Sequence, residues 1–247
     1  MRTPRQKIPF DFIEFSLGLI EEPDYREACQ EFIDRFLNDL EQGEIPDYPL
    51  PTFFRKRSLF QKVKIPMGVS MLSTHLSMIG QSYGMFAYIY DELAENITLA
   101  LEDTFGRNGR YLEIMAGSGW LAEALAQAGL QGKYVATDLT PNQPVYPIKR
   151  MEAKRAIRKY KGADCYILSW PPYEDEAAAE AISTLPEGSR IIYMGEWYGN
   201  CGTPSLFEQL EVVETLSPLW QQASDSYLTW FALHDQMRLC RKVFGAS

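Results

Sequence analysis

Apolar positions in the amino-terminal part of the chain recur at helical spacing. Phe10 to Ile20 reads as one helix, and across Tyr25 to Leu40 the residues Ala28, Phe32, Phe36, Leu37 and Leu40 share a face, the stripe of an amphipathic helix. Gly43 and the run Ile45-Pro-Asp-Tyr-Pro-Leu-Pro51 end that pattern and predict an extended linker that wraps a neighbour, because proline fixes φ and removes backbone donors. Helical spacing resumes at Met67 to Ile79 and again at Met85 to Phe105, where Phe86, Ile89, Tyr90, Leu93, Ile97 and Leu101 recur. This last helix is expected beside the first strand of a sheet. Met67, Met71, Met78 and Met85 are expected as adaptable core filling rather than as a ligand stripe.

After residue 110 short apolar runs alternate with helical segments. That alternation predicts an α/β fold with a mostly parallel sheet and helices on its faces. Strands are expected at 110–115, 133–138, 145–149, 163–169 and 189–195, and helices at 119–128, 151–160, 175–184 and 203–210. The tail adds two β-rich runs, around 212–216 and around 237–243. The connection from Asp138 to Val145 is too short for a full crossover helix.

Composition narrows the class. A chain of 247 residues that is 46% apolar and 13% aromatic can build a substantial core. No apolar run approaches the roughly 20 residues that span a bilayer, and the first residues lack a signal-like apolar stretch, so a cytoplasmic protein without a membrane partner is expected. Cys29, Cys165, Cys201 and Cys240 are far apart and show no metal-ligand spacing, which suits reduced thiols. With only His75 and His234, no histidine-rich metal site is expected. The net charge of −9 disfavours a generic polyanion binder. Two basic runs, Arg55 to Lys64 and Lys149 to Lys161, interrupt the acidity; a solvated helix face is the favoured reading of such runs.

Candidate chemistry collects at the carboxyl ends of the expected strands. Tyr111-Leu-Glu-Ile-Met-Ala-Gly-Ser-Gly119 reads as a buried strand, with Glu113 near its end, running into a turn of small residues, Ala116, Gly117 and Gly119, where a ligand can lie against the backbone. A dinucleotide fingerprint wants a further glycine shortly after Gly119, and this chain has Leu121 and Ala122 there. Asp138 closes the second strand, where a ribose with two hydroxyls needs a bidentate acceptor. Glu152 and Ala153 follow Met151 before a short helix, and Ser169-Trp-Pro-Pro-Tyr173 ends a later apolar strand. Each piece has a plain structural reading as well: Asp138 as a helix cap, Glu152 as a solvated helix residue, the two prolines as chain breakers.

In this order and spacing the pieces resemble the class I S-adenosylmethionine-dependent methyltransferases over residues 83–243. The turn resembles that family's motif I and Ser169 to Tyr173 its motif IV, in a form most like a poorly described group of such proteins. The resemblance implies a Rossmann-like, mostly parallel seven-stranded sheet with helices on both faces and a closing antiparallel hairpin. It divides the chain into a helical region, 1–82, acting as lid or recognition module, and a methyltransferase domain, 83–247. It implies S-adenosylmethionine bound by Glu113, Ala116, Gly117, Gly119, Asp138, Glu152 and Ala153, with Glu152 accepting from the adenine amino group.

Methyl transfer from a sulfonium is an in-line displacement that needs positioning and water exclusion, without a metal. Amino-methyltransferases of the family carry Asn, Asp or Ser before Pro-Pro and an aromatic residue, which implies acceptor binding by Ser169, Trp170, Pro171, Pro172 and Tyr173. Here Trp170 stands directly before the prolines, and its indole donates but cannot accept. Either Ser169 supplies the oxygen or the acceptor differs; an indole stacked on the acceptor or against the sulfonium is equally compatible. Glu196, at the end of a further strand, is a candidate general base if burial beside Trp197 raises its pKa, and a cap otherwise. His234 is expected to be structural unless it lies in a turn. The expected function is N-methylation of a planar or aromatic acceptor, whether small molecule, protein or nucleic acid; the alternative is a methyltransferase-fold protein without turnover that binds the cofactor or a partner.

Overall fold

Parallel strands buried on both faces form the centre of the molecule, in a computed structural model that describes residues 10–55, 67–231 and 233–244. The strands are β1 (Arg110–Ile114), β2 (Lys133–Asp138), β3 (Lys149–Arg150), β4 (Cys165–Ser169), β5 (Arg190–Glu196), β6 (Leu210–Val212) and β7 (Asp235–Lys242). They lie in the order β3-β2-β1-β4-β5-β7-β6. β1 to β5 are parallel, while β7 runs antiparallel to both β5 and β6. The sheet is therefore mixed but mostly parallel. The strand order reverses between β1 and β4, the place where open α/β sheets form a crevice outside their carboxyl ends.

Alternating side chains bind two helical layers. Tyr111, Cys165, Ile167, Ile192 and Met194 face one core with α1 (Phe10–Gly18), α2 (Pro23–Gln42), α3 (Met67–Ser82), α4 (Asp91–Phe105), α5 (Trp120–Gln127) and α9 (Pro218–Asp225). Leu112, Tyr166, Leu168, Ile191 and Tyr193 face a second core with α6 (Ala153–Lys159), α7 (Ala177–Ile182) and α8 (Pro204–Phe207). Phe32 and Phe36 of α2 reach Trp230, just before β7, with Phe36 and Trp230 ring centroids 5.5 Å apart, so the amino-terminal helices share a core with one face of the sheet. The proline-rich linker wraps as expected: Leu50 is buried, Pro46 accepts the Asp91 amide and Tyr48 accepts the Tyr88 hydroxyl through its carbonyl.

Several expected boundaries are corrected. Met85 to Tyr90 is an extended strap, and α4 starts only at Asp91, where Asp91 and Glu92 place carboxylates on the positive end of the helix dipole. Met85 is buried, but Met67 and Met78 are largely exposed, so these two do not fill the core. β3 occupies 149–150 rather than 145–149, and no helix joins it to β2, in keeping with the short connection. β6 occupies 210–212 instead of 212–216, and its partner β7 follows only after the unanticipated α9, so the closing pair is not a tight hairpin. α9 begins with Pro218 at its first turn and is capped by the Ser217 hydroxyl. The basic run from Arg55 to Lys64 lies outside the described residues except for Arg55; the other basic run is mostly exposed and begins on β3, separated from β4 by β2 and β1. No described helix is long and apolar enough to cross a membrane.

Candidate functional site

The turn after β1 is built around left-handed backbone. Met115, Gly117 and Gly119 have φ of 57°, 56° and 82°. A Cβ at Gly119 would meet Ile148 at 2.7 Å, so this glycine serves packing by the chain itself. A Cβ at Gly117 would meet nothing within 4 Å. Gly117 is thus the point at which a ligand can approach the backbone. Its amide donates to Asp138 Oδ2 at 2.9 Å, while Asp138 Oδ1 accepts from the Thr140 amide at 2.7 Å. Each oxygen keeps a second lone-pair site for a hydroxyl. No helix follows Asp138 before α6, so it is not a helix cap.

Gly117, Ala116, Met115 and Glu113 line a half-open end of the crevice with Trp120 and Leu121 of α5, Ser169 at the end of β4, Trp170 after it, and the strap residues Gly84 to Ala87 and Ile89. The cavity is about 50 Å³. The strap is anchored where the Trp120 indole donates to the Tyr83 carbonyl at 2.9 Å. Glu113 is the one acidic residue among the lining residues and is buried. Burial raises its pKa to about 8, against the opposing bond from the Tyr134 hydroxyl at 3.0 Å, with the Asp138 charge adding to the rise.

Trp170 has φ 49°, a left-handed conformation that is costly for a bulky residue. It is held by its amide, which donates to the Met194 carbonyl at 2.7 Å, and by the next carbonyl, that of Pro171, which accepts from the Gly202 amide at 2.9 Å. Its ring stacks on Phe86 of the strap with centroids 6.0 Å apart. The indole nitrogen is buried and makes no hydrogen bond within normal geometry, though it lies near the Tyr227 hydroxyl and lowers that group's pKa against the larger upward effect of burial. Tyr227 in turn donates to buried Asp235 at 2.7 Å, and burial raises the Asp235 pKa despite this bond. Pro171 is buried, whereas Pro172 and Tyr173 are exposed at the rim.

The remaining candidates are dispersed around this centre. Glu152 is exposed directly after β3, and the neighbouring Met151 amide donates to the Asp138 carbonyl at 2.8 Å; Ala153 is buried in the second core. Glu196 is buried at the end of β5, yet its pKa is not raised. Burial alone would raise it, but the Asn200 and His234 amides and the Asn200 side chain, each at 2.9 Å, together hold the carboxyl below its ordinary value. The condition for a general base is not met, and the carboxylate instead fixes the loop from Trp197 to Asn200. His234 precedes β7 rather than lying in it, is exposed, and serves Glu196 through its backbone. No group of acidic, histidine or cysteine side chains among the described residues has the makings of a metal site.

Sequence reasoning missed the strap, Tyr134 and the pair Tyr227 and Asp235. Gly84 ahead of a run of aromatic residues was the available signal for the strap; Tyr134 meets Glu113 only through the parallel register of β1 and β2, which single-strand patterns do not contain.

No family model matches the chain, and no curated protein matches it. Among solved structures it is similar to MtNAS in complex with S-adenosylmethionine, at 12% identity over 96% of this chain and 99% of that one, with a TM-score of 0.46. It is also similar to a magnesium protoporphyrin IX methyltransferase from Synechocystis with bound SAM, at 13% identity over 76% and 89% of the two chains and a TM-score of 0.40. A SAM-dependent methyltransferase from Archaeoglobus fulgidus matches at 13% identity over 60% and 94%, with a TM-score of 0.36. At such identities and TM-scores these likenesses carry no argument about function.

Proposed function

We propose that the protein is an S-adenosylmethionine-dependent methyltransferase that binds its cofactor at the carboxyl ends of β1 and β2 and methylates a nitrogen of a planar acceptor. The observation that carries this reading is the Gly117 and Asp138 junction: an open approach to the backbone, next to a carboxylate whose two oxygens are fixed by amides and retain capacity for two hydroxyls. Buried Glu113 at the half-open end suits the cationic half of the same ligand, because an adjacent positive charge favours its ionised form. Exposed Glu152, tied to Asp138 through the preceding residue, suits the adenine amino group.

When bound, the cofactor supplies an activated methyl group. The chain's own work is to position the acceptor and keep water out. Trp170, fixed by Met194 and facing Phe86, presents an aromatic wall at that end; Ser169 supplies the oxygen for an acceptor N–H, and Pro171 and Pro172 set the course of the loop. The cavity of about 50 Å³ is one end of the crevice, and the proposed ligand extends beyond it to Asp138 and Glu152. The division into a helical region, 1–82, as lid or recognition module, and a methyltransferase domain, 83–247, belongs to this reading.

A second reading, a cofactor-binding or protein-interaction module without turnover, is favoured by one observation: Trp170 replaces a hydrogen-bond acceptor, and its donor is buried. Methyl-labelled S-adenosylmethionine, offered with fractionated small molecules and proteins, separates the two. Label transfer lost in Trp170→Ala and Ser169→Ala supports the enzyme. Cofactor binding without transfer to any fraction supports the module.

A further inference from the structure

On the other face of the sheet from the strap, Arg238 stands out by what it lacks. The chain carries 33 acidic residues, and Arg241 on the same strand pairs with Glu211 at 2.7 Å, yet Arg238 makes no ion pair among the described residues. Its Nε is buried without a partner, and a terminal nitrogen donates to Gln236. The guanidinium lies 5.1 Å from the centre of the Trp197 ring. Guanidinium groups stack on aromatic faces and present a planar fork of donors to carboxylates and phosphates. Here the stack is made and the fork is left with spare donors.

The neighbouring loop completes a platform. Trp197 is wedged edge-on against Tyr193, with centroids 5.4 Å apart, and packs on Phe207 at 4.8 Å. The next residue, Tyr198, has φ 56° and is 62% exposed, its ring 4.7 Å from Phe207. The turn that holds Tyr198 left-handed is closed by the Gly199 amide, which donates to the Glu196 carbonyl at 3.3 Å, and it leaves most of the tyrosine ring open to a ligand. Glu196 anchors this loop at one end, and at the other the Gly202 amide donates to the Pro171 carbonyl, so the platform is tied to the Pro-Pro loop itself.

We propose that Arg238, Trp197 and Tyr198 form a second subsite that binds a flat aromatic ligand bearing a carboxylate or phosphate, with the ring against Tyr198 and the anion on the Arg238 fork. That this ligand is the methyl acceptor rests on the proposed function; the subsite itself does not.

Calorimetric titration of the full chain with two matched pairs of probes tests it: indole-3-acetate against indole-3-acetamide, and uridine monophosphate against uridine. The expected result is that at least one anion binds about ten-fold or more tightly than its neutral partner, with the preference weakening as salt rises. Whether the carboxylate or the phosphate pair shows it names the anion. Arg238→Met removes the preference, Arg238→Lys keeps part of it, and Tyr198→Ala weakens the anion and its neutral partner alike. Equal binding of both partners in each pair, no binding of either anion, or an unchanged preference in Arg238→Met overturns the proposal. S-adenosylmethionine titrated into the unaltered chain reads the cofactor crevice separately, so failure there with an intact anion preference sinks the function reading and leaves the subsite standing, and equal S-adenosylmethionine binding by the Arg238→Met sample shows that this variant is folded.

Discussion

The Gly117 amide donates to Asp138 Oδ2 at 2.9 Å, joining the turn after β1 to the end of β2 across the mouth of the crevice. One carboxylate thereby fixes the backbone of the turn and, with its other oxygen held by the Thr140 amide, keeps a second lone-pair site on each oxygen. The strap from Gly84 to Ile89 and the Trp170 loop line the far end.

Glu113 gives the stability of the protein a pH slope. Its folded pKa, about 8, lies above the ordinary 4.5. Between those values the folded protein holds a proton that the unfolded chain has released, so this group's contribution to stability declines as pH rises through that window. Glu113→Gln, which stays neutral and still accepts from Tyr134, flattens the fall of Tm between pH 5 and 8, about the span of those two values. An unchanged slope in the variant contradicts the assignment. Binding of a cationic ligand beside Glu113 also releases a proton below pH 8, which calorimetry in buffers of different ionisation enthalpy detects.

Gly84 holds the strap against the turn. Its φ is +79°, and a Cβ there would lie 2.1 Å from Ser118 Oγ. Gly84→Ala is expected to cost about 1–3 kcal/mol of stability by overpacking. Ser118→Gly has a cost of its own, since the Ser118 hydroxyl donates to the Asn142 carbonyl at 2.6 Å, but it removes the clash, so the double variant is expected to lose less than the sum of the two single variants. Chemical denaturation of all three variants measures this; strictly additive losses refute the contact.

Glu196 acts as an anchor. Glu196→Gln places an NH2 where the Asn200 or His234 donors now point, leaving a donor facing a donor. The expected loss is about 1–3 kcal/mol, read as a lower Tm. Because its folded pKa is depressed, the carboxylate's contribution is present above the ordinary value of 4.5 and fades as pH falls below it. Loss of the acidic limb of a pH-rate profile in this variant, with Tm unchanged, restores the general-base reading.

Much of the fold is legible in the chain. Short apolar runs and small turn residues mark the parallel strands and the places where they end, since those signals are local. Asp138 and Gly117 are readable as neighbours because they sit at successive strand ends, and one hydrogen bond joins them. The strap is not, because Phe86, Ile89 and Tyr90 recur at helical spacing while the chain from Met85 to Tyr90 is not helical. The low pKa of Glu196 is hidden because apolar neighbours are visible in sequence and the amides of Asn200 and His234 are not. α9 is masked by the β-forming residues on either side of it.

Calorimetric titration of S-adenosylmethionine into the intact protein, Asp138→Asn and Asp138→Ala tests the central claim most directly. Asn can still accept the Gly117 amide but cannot serve that amide, Thr140 and two hydroxyls together. The intact protein is expected to bind saturably, and both variants to lose about ten-fold or more, roughly 1.4 kcal/mol, with circular dichroism unchanged. No binding by the folded intact protein, or equal binding by all three, contradicts the claim.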